Sequence, residues 1–533
     1  MGTSAPRSLA ARLRAARPSD PGFELAFALL ALAAAWPLLY VSYPPIQDLP
    51  QHLAAIRVLH DFDSPGFAFR DYFVVDLWKT QYLAYYAAAD LLAHALDVEA
   101  ATRALIVASV VATPYSVRAL LAALGRDRRL ALLAFGFVYN AHLLLGFLNF
   151  LAAIPLMFLG TALSVQQRMA PSPGRALALT AVAVLGFYTH VVPFALLGLA
   201  AGLVALGRDP RKSVLRLLPL LPSGLAALHW LNRSPAGQAT WTAARGSESG
   251  RQPVFTPFEP ALAQLPRWLT DILHGPEDRL LLWSSLALLS LAVSGGLLRA
   301  LLERRQRPAQ PTAAATDEQA LRRSLALRLA LISPLCALLY FVAPSSYDWI
   351  WPIAERFPLL ALLWLLPALP TPGPRLSQTL AVAAFAVACA SYHYAGQAFA
   401  AFEREEVGDF DAALAAIPPG QRVAGLMFER GSRHVAFSPF IHFVAYYQAR
   451  RGGAVMFSFA DFPQSPFAFR DDNRPPPVPP RWEWLPQRVR PRELDWYQYV
   501  LTRGGPGVIA RPGSGFERIH QQGRYRVYRK LEP

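Results

Sequence analysis

The chain has little charge. Only 16% of its 533 residues are charged, 54% are hydrophobic, and the mean hydropathy is +0.26. A soluble domain usually carries about 25% charged residues, so this composition excludes an ordinary water-soluble globule. Cysteine is also scarce, because Cys336 and Cys389 are the only two and both lie in apolar runs. This excludes a disulfide framework and a cysteine-based metal site.

Lysine is almost missing. The net charge of +15 comes from 51 Lys and Arg residues against 36 Asp and Glu, and only Lys79, Lys212 and Lys530 are lysines. Such arginine-borne charge favours anionic lipid or phosphate as a partner, and we expect no nucleic acid. The chain also lacks Walker A, GxSxG, HExxH and CxxC motifs. Any group-transfer reaction must therefore draw its energy from an activated substrate.

Long apolar runs dominate the first 396 residues. A bilayer core of roughly 30 Å needs about 20 apolar residues per helix. On this basis we expect about eleven spans, at residues 23–43, 101–124, 130–145, 150–165, 176–189, 193–206, 215–231, 280–300, 325–341, 358–369 and 376–395. The sequence thus predicts a polytopic α-helical membrane protein.

Basic residues mark alternate connections between these runs. They cluster in the N-terminal tail and at residues 126–129, 168–175, 208–216, 304–323 and 375. Since short cytoplasmic loops are enriched in arginine and lysine, we expect a cytoplasmic N-terminus and an extracytoplasmic C-terminus. A bacterial plasma (inner) membrane is the expected location. A secretory signal is the alternative interpretation of the first run, but its length and the spans that follow favour an uncleaved anchor.

Three parts are expected along the chain: a basic cytoplasmic tail at 1–22, a membrane module at 23–396 with a large first outer loop at 44–100, and an extracytoplasmic domain at 397–533. In the last part, short helical and strand-like segments alternate, such as 409–416 and 422–428. This pattern predicts a small C-terminal α/β domain.

The first outer loop carries the leading candidate residue. Prolines at 44 and 45 end the first span, and Asp48 follows almost at once. A carboxylate at the membrane surface can accept a proton or bind a divalent ion. Helix capping is the alternative, since Gln51 follows three residues later in a capping-box-like pattern. His52 lies one helical turn beyond Asp48. It is a candidate for substrate binding, and the two residues are weak candidates for a metal site.

At this point the layout resembles the GT-C superfamily of membrane glycosyltransferases, which includes protein O-mannosyltransferases and lipid A aminoarabinose transferases. The resemblance consists of the acidic residue after the first span, an outer loop with two amphipathic helices, Arg103 at the start of the second span, many further spans and an outer C-terminal domain. It implies a polyprenyl-phosphate-sugar donor, catalysis at the outer membrane face, and Asp48 as base or metal partner. No cofactor is certain, and a divalent metal stays open.

The sequence also departs from that family. Many members carry a second acidic residue in the next outer loop, where this chain has Tyr139 to Asn149 without a carboxylate. His142 or Asn149 could substitute there, although turn or packing roles are the alternative. His190, at a span end, is a further candidate for orienting a phosphate or sugar, or is an interfacial histidine.

Arg356 is the candidate for binding a lipid phosphate, because the geometry of a guanidinium group allows it to donate paired hydrogen bonds to phosphate oxygens. An ion pair with Glu355 or Asp348, or snorkelling to the interface, is the alternative.

The sequence therefore predicts a membrane glycosyltransferase of the hexosyl or pentosyl type, with membrane lipid and an unidentified acceptor as further partners. Two alternatives remain open. The first is a transporter or flippase of a lipid-linked anion, which should place charges deep within spans. The second is a catalytically inactive envelope scaffold, because the second acidic position is empty.

Overall fold

The computed structural model describes residues 20–238, 253–306, 313–347, 350–505, 509 and 513–531. Within these residues, seven helical segments are long and apolar enough to cross a membrane: Pro21–Tyr40, Val98–Ala123, Leu148–Met169, Pro210–Arg233, Glu277–Glu303, Asp317–Val342 and Pro374–Val407. The chain is therefore a polytopic α-helical membrane protein, as the sequence predicts.

Among the described residues, fewer helices are long enough to span a membrane than the eleven that the sequence predicts. Three of the predicted runs form helices of fewer than 18 residues, Pro173–Thr189, Val191–Ala205 and Phe357–Ala368. The predicted span at 130–145 is wrong, because Arg128–Phe137 is a 3₁₀ helix and only Ala141–Leu145 is α-helical. The Asn140 side chain caps the short helix, and Gly146 ends it with a φ of +85°. These two residues break the apolar run where a span would have to continue.

Further helices lie outside the long spans. The two helices expected in the first loop are Leu49–His60, here called the Asp48 helix, and Leu83–Ala93, here called the Asp90 helix. Shorter helices are Phe69–Tyr72, Phe258–Gln264, Phe410–Ala415 and Ala445–Arg451.

The C-terminal region contains a five-stranded sheet. Its strands are β2 (Arg422–Met427), β3 (Ala454–Val455), β5 (Tyr499–Arg503), β6 (Phe516–Gln522) and β7 (Tyr525–Lys530), in the order β3-β2-β5-β7-β6. β2 runs parallel to β3 and β5, whereas β7 is antiparallel to both of its neighbours. With its flanking helices, this sheet is the predicted small α/β domain.

A second, two-stranded sheet joins the first loop to this C-terminal region. Strand β1 (Phe73–Val75) pairs antiparallel with β4 (Phe467–Phe469). The Asp48 helix is held from the same side, because Gln51 Nε2 donates to the Phe457 carbonyl at 2.7 Å and Arg57 Nε donates to the Ala449 carbonyl at 2.9 Å. The first loop and the C-terminal region therefore pack as one body.

Arg450 strengthens the same junction. Its guanidinium bonds both oxygens of Glu99, at 2.6 and 3.0 Å, and Asp411 at 2.8 Å. It also lies over the Tyr43 ring at 4.9 Å. One side chain thus links the end of the first span, the start of the second span and the C-terminal region.

The basic connections gather at the opposite end of the helical bundle. Arg129 pairs with Asp20 at 2.6 Å, and Arg322 donates to the Ala123 carbonyl. Nearby, Arg216 and Arg328 bond carbonyls at the C-terminal end of helix Val191–Ala205, where a helix dipole favours cations. The alternation of basic loops along the sequence therefore corresponds to two chemically distinct ends.

Candidate functional site

Asp48 lies at the N-cap position of its helix, but its carboxylate makes no capping hydrogen bond. The backbone N–H of Asp48 donates to the Leu145 carbonyl at 3.2 Å, which holds the residue against the short helix Ala141–Leu145. Gly146 packs so closely that a Cβ added there would lie 2.9 Å from the Asp48 Cβ. The backbone thus fixes Asp48, and its carboxylate is free of the capping role that the sequence pattern also allowed.

His442 binds the Asp48 carboxylate. Its Nδ1 lies 2.9 Å from Asp48 Oδ1, and the two side chains are only 7% and 17% exposed. The imidazole stacks on Phe457, with ring centroids 4.1 Å apart and planes at 12°. Because Asp48 Oδ1 takes this hydrogen bond and no described residue bonds Oδ2, the second oxygen stays free for a substrate group.

Sequence analysis missed His442. The residue is 394 positions from Asp48 and lies three residues before the helix Ala445–Arg451. No local motif marks this histidine. Only the packing of the C-terminal region on the Asp48 helix brings it to the carboxylate.

His52 has no free nitrogen. Its Nε2 lies 2.9 Å from the Gly146 carbonyl and its Nδ1 lies 3.0 Å from the Tyr86 hydroxyl. Burial lowers the pKa of His52 to about 4, against a smaller opposing effect of the Asp48 charge, so the ring is neutral. With Nε2 donating to the carbonyl and Nδ1 accepting from the hydroxyl, this geometry gives no support to a metal shared by Asp48 and His52.

Arg356 is a buried cation. Its exposed fraction is 9%, its Nε has no hydrogen-bond partner, and it forms no ion pair with a described residue. The guanidinium carbon lies 5.3 Å from the Phe147 ring and 5.9 Å from the Phe150 ring. Burying a guanidinium without a carboxylate is costly. Among the described residues, no anion balances this charge.

The structure describes only one of the two ion-pair partners considered for Arg356, Glu355 and Asp348. Glu355 does not pair with Arg356, because its carboxylate accepts a hydrogen bond from the Ser345 hydroxyl. Asp348 lies outside the described residues.

Two histidines share the Phe150 ring with Arg356. The ring centroids of His142 and His190 lie 5.1 and 5.4 Å from that of Phe150. Neither nitrogen of His142 makes a hydrogen bond of good geometry with a described residue, although the Glu355 backbone lies close enough to raise its pKa slightly, whereas His190 Nδ1 accepts from the Val192 backbone N–H at 3.1 Å. We call these residues with Phe147 the Arg356 cluster.

The imidazoles of the Arg356 cluster are neutral. Burial, followed by the nearby Arg356 charge, lowers the pKa of His142 to about 3. The same two causes, joined by His142 itself, hold the pKa of His190 well below its usual range. Burial also lowers the pKa of Arg356, while Tyr82 and Glu355 raise it. The cluster therefore offers one positive charge and two neutral rings to an incoming group.

Asn149 lies beside this cluster and not within it. Its side chain lies close enough to the Tyr86 hydroxyl to lower the pKa of that group, against the larger raising effect of burial, while its Oδ1 atom is buried without a partner among the described residues. Tyr86 in turn bonds His52. Asn149 thus belongs to a polar network that runs behind Asp48.

The turn His142–Phe147 separates the two halves of the site. Gly146 contacts Asp48 on one side, and Phe147 contacts Arg356 on the other. A carboxylate held by an imidazole and a guanidinium without a counter-ion therefore flank one short segment. Such a pair can take a proton from one group while it holds an anionic group nearby.

Comparisons with known proteins add the following. No protein-family model and no curated protein sequence matches the chain. Among solved structures, ArnT from Cupriavidus metallidurans bound to undecaprenyl phosphate is 12% identical, with 96% of this chain and 98% of that chain covered and a TM-score of 0.44. The arabinofuranosyltransferase AftD from Mycobacteria is 16% identical, with 97% and 42% covered and a TM-score of 0.43. Both similarities extend over nearly the whole of this chain.

Proposed function

We propose that the protein is a membrane glycosyltransferase that moves a sugar from a polyprenyl-phosphate donor to an acceptor hydroxyl. The observation that carries this proposal is the buried Arg356, which has no carboxylate partner among the described residues, on the other side of one short turn from Asp48. The donor phosphate supplies the anion that Arg356 lacks. Phe147 and Phe150 beneath the guanidinium supply apolar surface beside the phosphate.

Each member of the Arg356 cluster has a distinct part in donor binding. Arg356 binds the phosphate oxygens through its guanidinium fork. His142, which makes no hydrogen bond of good geometry with a described side chain, donates a hydrogen bond to the same group. His190 orients the donor through its remaining nitrogen, because its Nδ1 already caps the following helix. Asn149 keeps the neighbouring Tyr86 in place.

Asp48 acts as the base. The acceptor hydroxyl attacks the anomeric carbon, the bond from that carbon to the phosphate oxygen breaks, and the hydroxyl proton passes to Asp48 Oδ2. The phosphate leaves with the bonding electrons and remains paired with Arg356. His442 positions the carboxylate through Oδ1. The reaction inverts the anomeric centre, because the attack comes from the face opposite the leaving group.

The reaction takes place at the outer face of a bacterial plasma membrane. In this proposal the end with the basic connections faces the cytoplasm, and the end with Asp48, Arg356 and the C-terminal domain faces outward. The two chemically distinct ends of the bundle support this orientation. Reporter fusions at residue 531 and in the 208–216 connection test it, since they should report opposite sides of the membrane.

The experiment is done on the full chain reconstituted in liposomes. Binding of undecaprenyl phosphate is measured first, followed by transfer of labelled sugar from a panel of polyprenyl-phosphate sugars. The variants are Asp48→Asn and Arg356→Gln, and Arg470→Gln is the matched control because that arginine is exposed and pairs locally with Asp472. We expect Arg356→Gln to weaken binding by at least about tenfold, and Asp48→Asn to keep binding and lose transfer.

Three results would contradict the proposal. Equal lipid binding by the wild-type protein and Arg356→Gln would show that Arg356 does not bind the donor phosphate. Sugar transfer by Asp48→Asn at the wild-type rate would show that Asp48 is not the base. Movement of the lipid across the bilayer without sugar transfer would identify a transporter instead.

A further inference from the structure

Two histidines and a carboxylate meet at the end of the Asp48 helix that is farthest from Asp48. His60 is the last residue of that helix, and Asp90 and His94 are one turn apart at the end of the Asp90 helix. One ligand atom from each residue can be chosen so that all three lie within 4.8 Å of one another. The rings of His60 and His94 meet edge to face, with centroids 4.8 Å apart.

The hydrogen bonds prepare His94 as a ligand. Its Nδ1 lies 2.9 Å from the Asp90 backbone carbonyl, which can only accept, so the proton is on Nδ1 and the lone pair is on Nε2. A backbone carbonyl that fixes the histidine tautomer in this way is a common outer partner in metal sites. The exposed Nε2 of His94 is therefore available to a cation.

His60 and Asp90 already contact each other. His60 Nδ1 lies 2.8 Å from Asp90 Oδ1, and their side chains are 20% and 35% exposed. This pair alone does not account for the position of His94, whose ring adds a third donor on the same side. Donor atoms on a tetrahedral zinc ion lie about 3.3 Å apart, and no two of the three chosen atoms lie more than 4.8 Å apart, so each pair needs to move by at most about 1.5 Å. Rotation of the two partly exposed rings provides that movement.

We propose that His60, Asp90 and His94 form a binding site for a divalent transition metal of the zinc type. Two imidazoles and one carboxylate are ligands that such ions accept, and water fills the fourth position. The site lies about 18 Å from Asp48, since twelve helical steps of roughly 1.5 Å separate His60 from Asp48. Its role is structural, because the metal joins the ends of the Asp48 and Asp90 helices.

The test uses the full chain, purified in detergent without a histidine tag and stripped with a chelator. Zn²⁺ is titrated by calorimetry, and Co²⁺ is added separately to record its visible absorption. The test variant is His94→Ala, whose side chain is exposed. The matched control is His434→Ala, because His434 also pairs with a carboxylate, Glu405 at 2.9 Å, but belongs to no three-ligand group among the described residues.

We expect one zinc ion per chain and a tetrahedral cobalt spectrum in the wild-type protein and in His434→Ala. His94→Ala should bind zinc at least about tenfold more weakly and lose the cobalt spectrum. Zinc should also raise the melting temperature of the wild-type protein and not that of His94→Ala. Unchanged zinc affinity in His94→Ala, an equal loss in His434→Ala, or no zinc binding by the wild-type protein would each overturn the proposal.

Discussion

Replacing Gly146 by alanine should misplace Asp48. A Cβ at this position would lie 2.9 Å from both the Cβ and the backbone nitrogen of Asp48, well inside van der Waals contact. Gly146 also has a φ of +85°, which costs an alanine about 1–2 kcal/mol. The added methyl group must therefore push Asp48 away by some tenths of an ångström, or the turn must change shape.

Gly515→Ala separates these two effects. Gly515 has a φ of +79°, and a Cβ there would meet nothing within 4 Å. It therefore carries the same backbone cost of about 1–2 kcal/mol without pressure on Asp48. We expect both variants to melt at lower temperature, and Gly146→Ala to fall further.

Sugar transfer gives the decisive comparison. A misplacement of about 1 Å at a reacting group can reduce a rate by about 100-fold, so Gly146→Ala should lose about 10- to 100-fold in transfer rate. Gly515→Ala should keep the wild-type rate per folded molecule. If Gly146→Ala transfers sugar as fast as Gly515→Ala, the close packing against Asp48 does not determine the geometry of catalysis.

Two further predictions concern stability. His52 and His142 have pKa values lowered by burial to about 4 and about 3, so below pH 6.5 the unfolded chain binds protons that the folded chain does not. Stability should fall as the pH drops from 7 to 5, by about 2 kcal/mol for each histidine, and His52→Asn should reduce this dependence in melting experiments at both pH values. Arg450→Met should lower the stability by about 1–3 kcal/mol, because partly buried Glu99 loses its partner. An unchanged melting temperature would show that the Arg450 contacts contribute nothing to stability.

Sequence reasoning located the architecture well where the signal was local. Apolar runs and basic connections follow from the cost of burying polar groups in a bilayer, so the long helices and the two ends of the bundle could be predicted. The prediction of a span at 130–145 was wrong, because hydropathy alone does not show that Asn140 and Gly146 favour a capped turn.

The candidate site was predictable in part. Asp48 and Arg356 stood out because each carries a charge next to a predicted span. His442 did not, because its role depends on a hydrogen bond between residues 394 positions apart, and no periodicity encodes such a contact. The roles of His52 and Asn149 also depend on a distant residue, Tyr86, which bonds His52 and lies beside Asn149.

The hydrogen bond between Asp48 and His442 has a consequence for the biosynthesis of the protein. A ribosome adds residues in order, and domains generally fold as they emerge, so the first loop is complete long before its histidine partner exists. While the ribosome synthesises the intervening membrane helices, the Asp48 carboxylate lacks its partner His442. Under the proposed function, a nascent or prematurely terminated chain therefore has Asp48 without the histidine that positions it, and sugar transfer becomes possible only once the last quarter of the polypeptide has been made.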